Sequence, residues 1–289
     1  MIDLLVDPLR AYPFFVTALL ASLAVGIGAA VLSCLLVVRH QALVGDAISH
    51  SVLLGVAVGF VVAGSVGVLP GALLAAIGTA VLTTAIERRT PLARDAVLGI
   101  VFSTAFAGGL AIISVARPVG IDLFHVLLGN VLGVGRGELV LTAATTVVVL
   151  ALVVIAFRPL RLWAYDPQTA ATLGVDVAAL EYLFAVLLSA MVVASLQAVG
   201  LILVMAMLVI PGATARLVTD RLSRMMLVAA AVGALSAVAG LYTSFHLDVA
   251  SGPAMVLAAA ACFALGFIAH LVSGRPTPQA KDHTTGAVG

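Results

Sequence analysis

Charge is what this sequence has least of. Of its 289 residues, 9% are Asp, Glu, Lys or Arg and 63% are hydrophobic, against about 25% charged in an ordinary soluble domain. Such a chain cannot coat a water-facing surface. Fourteen Lys plus Arg stand against thirteen Asp plus Glu, a formal net charge of +1. There is therefore no basic stripe to neutralise phosphates, and nucleic acid is excluded as a partner. Lysine occurs once, at Lys281 in the tail. No G-x-x-x-x-G-K-[ST] phosphate loop can exist without one, so ATP hydrolysis is not expected of this chain. No H-E-x-x-H marks an intramembrane metalloprotease. The two cysteines, Cys34 and Cys262, sit far apart inside apolar runs without C-x-x-C spacing, which reads as reduced core residues rather than a disulfide or metal site.

What the sequence has in abundance is long apolar runs. Seven plain ones cover 14–38, 46–64, 67–86, 96–116, 138–157, 226–243 and 252–271, each near the twenty or so residues that cross a hydrocarbon core of about 30 Å. The first is too long for the core of a secretory signal, and Pro13 makes a natural helix start. Two stretches are irregular. Residues 120–134 are apolar but too short to cross, and 182–218 are too long for one helix and short for two.

Charge resolves the second stretch, because basic residues favour the cytoplasmic side of short loops. If 182–218 is a hairpin turning near 197–200, the chain has nine spans, starts outside and ends inside. Arg39, Arg88, Arg89, Arg94, Arg158, Arg161, Arg216, Arg221, Arg224, Arg275 and Lys281 then share the cytoplasm, eleven of the fourteen, with Arg10, Arg117 and Arg136 outside. Each hairpin arm has about 16 residues, about 24 Å of helix, so the apex near Gln197 is expected to stop inside the membrane, sheltered by protein. Pro211 removes a backbone hydrogen bond in the returning arm and predicts a kink there, for gating or for packing alone. The expected architecture is an all-α integral membrane protein of about nine transmembrane segments including a short hairpin, with a short outer re-entrant element and a cytoplasmic helix. Its divisions are an extracytoplasmic segment (1–13), a transmembrane unit (14–272) and a polar, disordered tail (273–289), where His283 stands alone.

The residues that suggest chemistry are Asp46 and His50. Four apart, they share one helix face one turn from each other. Ionisable groups inside a span cost about 2.5–3.5 kcal/mol each and usually face a cavity or pathway. Carboxylate plus imidazole suits borderline divalent ions such as Mn²⁺, Fe²⁺ and Zn²⁺. Two ligands cannot saturate an ion, but two copies meeting beside this helix would supply four. The plainer alternative makes Asp46 a helix N-cap and His50 a hydrogen-bonded core histidine. On the same span Ser51, Gly55 and Gly59 form a small-xxx-small series that admits a neighbouring helix closely. Asp122 with His125, and His246 with Asp248, pair acid with imidazole on the outer side, either as a lip that receives a cation or as ordinary solvated loop residues. Inside, 165–175 carries the punctuation of a short helix: Asp166 at the cap, Pro167 at the first position and Gly174 just past the end. That helix either docks on a soluble partner or is a mere connector.

Together the stretches AL-VGDAISHSVLLG (42–55), LLGNVLG (127–133), DPQTAATLGV (166–175), LQAVGLILVMAMLVIPGATARL (196–217) and SFHLDVASGPAMVL (244–257) resemble the membrane permeases of ATP-binding-cassette importers for manganese, zinc or iron. The resemblance runs from Arg39 to Leu271. It implies a homodimer in the bacterial plasma membrane that binds two copies of a separate ATPase through 166–174, with Asp166, Pro167, Ala170, Leu173 and Gly174 in the coupling helix. It also implies metal delivery by an extracytoplasmic binding protein, no permanently bound cofactor, and a place for Asp46 and His50 on the ion path. Leu54 stands where family members often have Pro, and His125 where they often have an aromatic residue. Ala250–Gly252 and Ala47–Ser49 look closer to the manganese-type members. Zinc or iron is the alternative cargo. An intramembrane enzyme using Asp46 and His50 as base and acid is the alternative of another class.

Overall fold

The computed structural model describes residues 12–116 and 131–273. The expectations for the N-terminal segment, for Asp122 and His125 and for the polar tail fall outside these residues. Among the described residues the fold is all helical, and nine helices are long and apolar enough to cross a membrane. They are the seven plain spans plus the two arms of the irregular stretch.

Helix α1 (Pro13–Val38) begins with Pro13 in its first turn, where the missing N–H costs nothing. It forms the centre of the molecule, with 72% of its apolar window buried. The long helix α11 (Leu222–Leu247) lies along it, and the two meet where a Cβ on Gly26 would stand 2.7 Å from the Gly233 carbonyl oxygen. α2 (Ala42–Ala63) and α3 (Ser65–Arg89) form the tightest helix pair. Gly64 alone connects them, at φ 63° and ψ −148°, a region open essentially to glycine. Below that turn Gly55 faces Gly71 and Gly59 faces Gly67, and a Cβ at any of the four would overlap the opposite backbone. The small-xxx-small series of α2 is thus a helix-packing seam, as its spacing predicts. Association in lipid rests on such close contact, because water expulsion supplies no drive there.

α4 (Arg94–Ala116) packs on α2, and α5 (Arg136–Ile155) on α1. At the start of α5 the Gly135 N–H donates to the Glu138 carboxylate at 3.0 Å, covering one of the orphan donors of the first turn. Two short helices follow, α6 (Phe157–Tyr165) and α7 (Pro167–Thr172).

The irregular stretch is a broken hairpin. α8 (Val177–Val199) ends at Gly200, whose φ of 81° and ψ of 170° again suit only glycine. α9 (Leu201–Met207) stops after seven residues, and α10 (Ile210–Val218) restarts with Pro211 in its first turn. The turn lies where the sequence places it, and the returning arm breaks just before Pro211. The first arm is longer than expected, starting at Val177 instead of residue 182, because Asp176 caps it by accepting from the Ala179 N–H at 2.9 Å. α10 seats against α1 at Gly212, where a Cβ would lie 2.6 Å from Ser33. α12 (Ser251–Val272) closes the chain at the rim, with 11% of its window buried.

Candidate metal path and docking helix

α2 starts at Ala42 with Gln41 at the cap position, so Asp46 lies in the second turn and caps nothing. The capping alternative is thereby removed. One turn on, His50 turns its Nε2 toward Asp46 Oδ1 at 3.4 Å. Two donors each about 2.1 Å from one metal ion stand about 3.0–3.4 Å apart at angles of 90–110°, so this pair can close on a single ion from its present spacing. Phe102 and Phe106 of α4 flank the imidazole, with ring centroids 5.0 and 5.3 Å away, and they fix the ring's plane. Its Nδ1 is buried with no hydrogen-bond partner.

The exposure of the pair decides its meaning. The Asp46 side chain is 42% exposed and that of His50 21%, in a helix long and apolar enough to span. Nearby Leu43 is exposed as well. A carboxylate open on the flank of a spanning helix cannot face lipid without a cost of about 2.5–3.5 kcal/mol. It must face water or another protein surface. Just above it a narrow cavity is lined by Ser49, His50, Leu53 and Val56 of α2, by Phe106, and by Leu196 and Leu201 on either side of the hairpin turn. The turn of the broken hairpin thus lies beside the imidazole, inside the bundle, which is the arrangement in which irregular backbone is tolerated at membrane depth.

Of the remaining expected residues, His246 and Asp248 sit at the far end of α11, both exposed. Asp248 adopts the left-handed conformation, φ 52°, that ends the helix, and the His246 ring lies against Phe245 at 5.5 Å. The fold does not bring them to Asp46 and His50. Among the described residues no group of three or more His, Cys, Asp or Glu is placed to hold an ion, so these residues offer the two donors of α2 and no third beside them. Cys34 and Cys262 are both free.

At the opposite end, α7 forms as its punctuation predicts. Asp166 accepts from the Thr169 N–H at 3.0 Å and from its hydroxyl at 2.5 Å. These bonds, the hydroxyl foremost, hold the Asp166 carboxyl below its ordinary range. Pro167 is the first helical residue, and Gly174 takes φ 81° just past the end. Ala170 faces inward, fully buried, while Leu173 is 65% exposed: an anchored helix with an apolar tip presented outward.

Local spacing gives no sign of what surrounds α7. Arg39, at the end of α1, lies 4.7 Å over the Trp163 ring and 3.9 Å from Glu181. Tyr165 donates its hydroxyl to the Asp220 carbonyl at 2.7 Å, and Arg216 pairs with Asp220 at 2.9 Å. The Arg-bearing ends of α1, α6 and α10 therefore share one end of the bundle, as the charge count requires.

Comparisons with known proteins identify the family. The manganese transport system membrane protein MntC of Halalkalibacterium halodurans is 42% identical over 261 residues, 90% of this chain and 89% of that protein. A probable iron transport system membrane protein of Haemophilus influenzae is 39% identical, over 93% of this chain and 94% of its own. Among solved structures, PsaBC from Streptococcus pneumoniae in complex with Fab contains a chain that superimposes with a TM-score of 0.83 at 35% identity, covering 92% of this chain and 95% of that one. The model of the ABC 3 transport family matches residues 11–270, and with relatives of this identity and coverage the chain belongs to that family as a multi-pass membrane permease.

Proposed function

We propose that this chain is the permease subunit of an importer that moves divalent metal ions, manganese foremost, into the cytoplasm of a bacterium. One observation carries the reading: a carboxylate and an imidazole, 3.4 Å apart and partly exposed on the flank of a membrane-spanning helix. Two copies of the chain, joined across that flank, would oppose two aspartates and two histidines. That is enough to replace part of an ion's hydration shell without a cage from which it could not leave. The manganese assignment is supported by the name of the Halalkalibacterium relative. Iron is the second cargo, on the name of the Haemophilus relative, and zinc suits the same donors.

The energy would come from a separate ATPase docked on α7 with Leu173 as the contact, and the ion from an extracytoplasmic binding protein at the far end of the bundle. In this orientation the Arg-rich end lies in the cytoplasm, as basic residues prefer. The ATPase would switch the dimer between outward-open and inward-open states, with Gln197 just before the turn and Pro211 just after the break in the moving arm.

The test is uptake of Mn²⁺ into proteoliposomes carrying the permease with its ATPase, with Zn²⁺ and Fe²⁺ as competitors. Asp46→Ala and His50→Ala are each expected to abolish uptake while the complex still assembles. Retained uptake in both removes the pair from the path.

A further inference from the structure

The reading of α7 as the ATPase-docking helix leaves open how a push on that helix would reach α2, and a cluster around the chain's single tryptophan supplies an answer. Trp163 lies in α6, three residues before the Asp166 cap, and is 1% exposed. The Arg39 guanidinium sits over its ring at 4.7 Å and donates to its carbonyl at 3.5 Å. The same guanidinium reaches Glu181 at 3.9 Å. Trp163 precedes α7 and Glu181 follows it, on α8, so one side chain grips the polypeptide on both sides of the docking helix. Arg39 itself occupies the short joint between α1 and α2, seven residues before Asp46.

The indole packs on Phe184, ring centroids 5.4 Å apart, yet its surroundings are not wholly apolar. A cavity lies beside the indole, bounded by Val44 and Ile48 of α2, by Thr79 and Thr83 of α3, and by Glu181. On its wall the Trp163 Nε1 and Thr83 Oγ1 atoms are buried without a protein partner, although a partnerless buried donor costs about 1–3 kcal/mol. An apolar wall would be the stable choice for a static joint. Polar walls suit a joint whose partners exchange, or one that water wets as it opens.

We infer that Trp163, held by the Arg39 that Glu181 pairs, is a positioning residue that carries motion of α7 to the α1–α2 joint and so to Asp46 and His50. The inference rests on α7 being the docking helix, and its experiment separates the two. The permease–ATPase complex is prepared with 5-fluorotryptophan in lipid nanodiscs, Trp163→Phe identifying the Trp163 fluorine resonance. That resonance is expected to shift between the nucleotide-free state and the state trapped with ATP and vanadate. In proteoliposomes, Arg39→Ala is expected to leave the ATPase bound and hydrolysing while Mn²⁺ moved per ATP falls at least about fivefold, the low end of an ordinary coupling energy. Arg39→Lys keeps the charge but loses the planar stack, and is expected to lower the same ratio if the alanine variant does not assemble. A Trp163 resonance that is the same in both states, or a transport ratio unchanged in the Arg39 variants, overturns the inference. If instead Leu173→Glu leaves the ATPase bound and transport normal, the docking of α7 is what fails.

Discussion

At the scale of single residues, the proposed metal-path pair is held by restraint rather than by strong bonds. His50 is fixed by two phenylalanine rings and a 3.4 Å approach to Asp46, so its imidazole is oriented without being tied down by a hydrogen bond at Nδ1. Asp46→Asn preserves size and removes charge. It is expected to lower Mn²⁺ uptake at least about tenfold, equivalent to about 1.4 kcal/mol or more, without loss of assembled complex. Radioactive ⁵⁴Mn accumulation against complex yield measures both. Asp166 has the opposite character, an acid bound firmly by its own helix. Because the Thr169 hydroxyl and N–H depress its pKa in the folded state, its cap is fully present above the unfolded value and is lost only as pH falls through the lower, folded one. ATPase retention on the permease should then be flat from about pH 8 to about pH 5, the range above ordinary carboxylate titration, and weakened at every pH in Asp166→Ala. A pull-down across that range reads it, and a step near neutral pH in the parent protein contradicts the assignment.

The elements divide into those that pack by small residues and those that break. The α2–α3 seam depends on glycine at 55, 59, 67 and 71, so Gly59→Leu must splay the pair, with a cost of about 1–3 kcal/mol or more for an overpacked contact. The thermal midpoint of the purified complex should drop and uptake fall with it, since α2 carries Asp46 and His50. Gly200 is a different case, a buried glycine in a backbone region that disfavours every other residue. Gly200→Ala is expected to cost about 1–3 kcal/mol and, because the turn borders the His50 cavity, to reduce uptake more than ATPase binding. Equal loss of both would make Gly200 a folding residue only.

For the whole molecule, the distribution of burial argues for a partner. α1 is enclosed, whereas α4, α5 and α12 have at most 28% of their windows buried; lipid can cover their apolar faces, but not Asp46. A second copy against the α2 flank would cover that carboxylate and complete the donor set. Native mass spectrometry of the complex from nanodiscs should therefore show two permeases with two ATPases. A stable, transport-competent complex with one permease refutes the shared site.

The sequence by itself determined the class of the protein, the nine spans among its described residues, the hairpin turn, the kink before Pro211 and the form of α7, because each rests on local physics: the length of an apolar run, the absent N–H of proline, the capping carboxylate of Asp166. The spacing of Asp46 and His50 likewise put both on one face. Only the tertiary structure decided that Asp46 caps nothing and stands partly exposed, that the hairpin turn comes to rest beside His50, and that His246 and Asp248 lie far from them. It alone joined Arg39 to Trp163, 124 positions away, and Tyr165 to Asp220. Those contacts are set by which helix packs on which: the long spanning helices are apolar on nearly every side, so hydrophobic periodicity leaves no stripe from which their neighbours can be read, and the amphipathic α6 shows which face it buries but not what it meets.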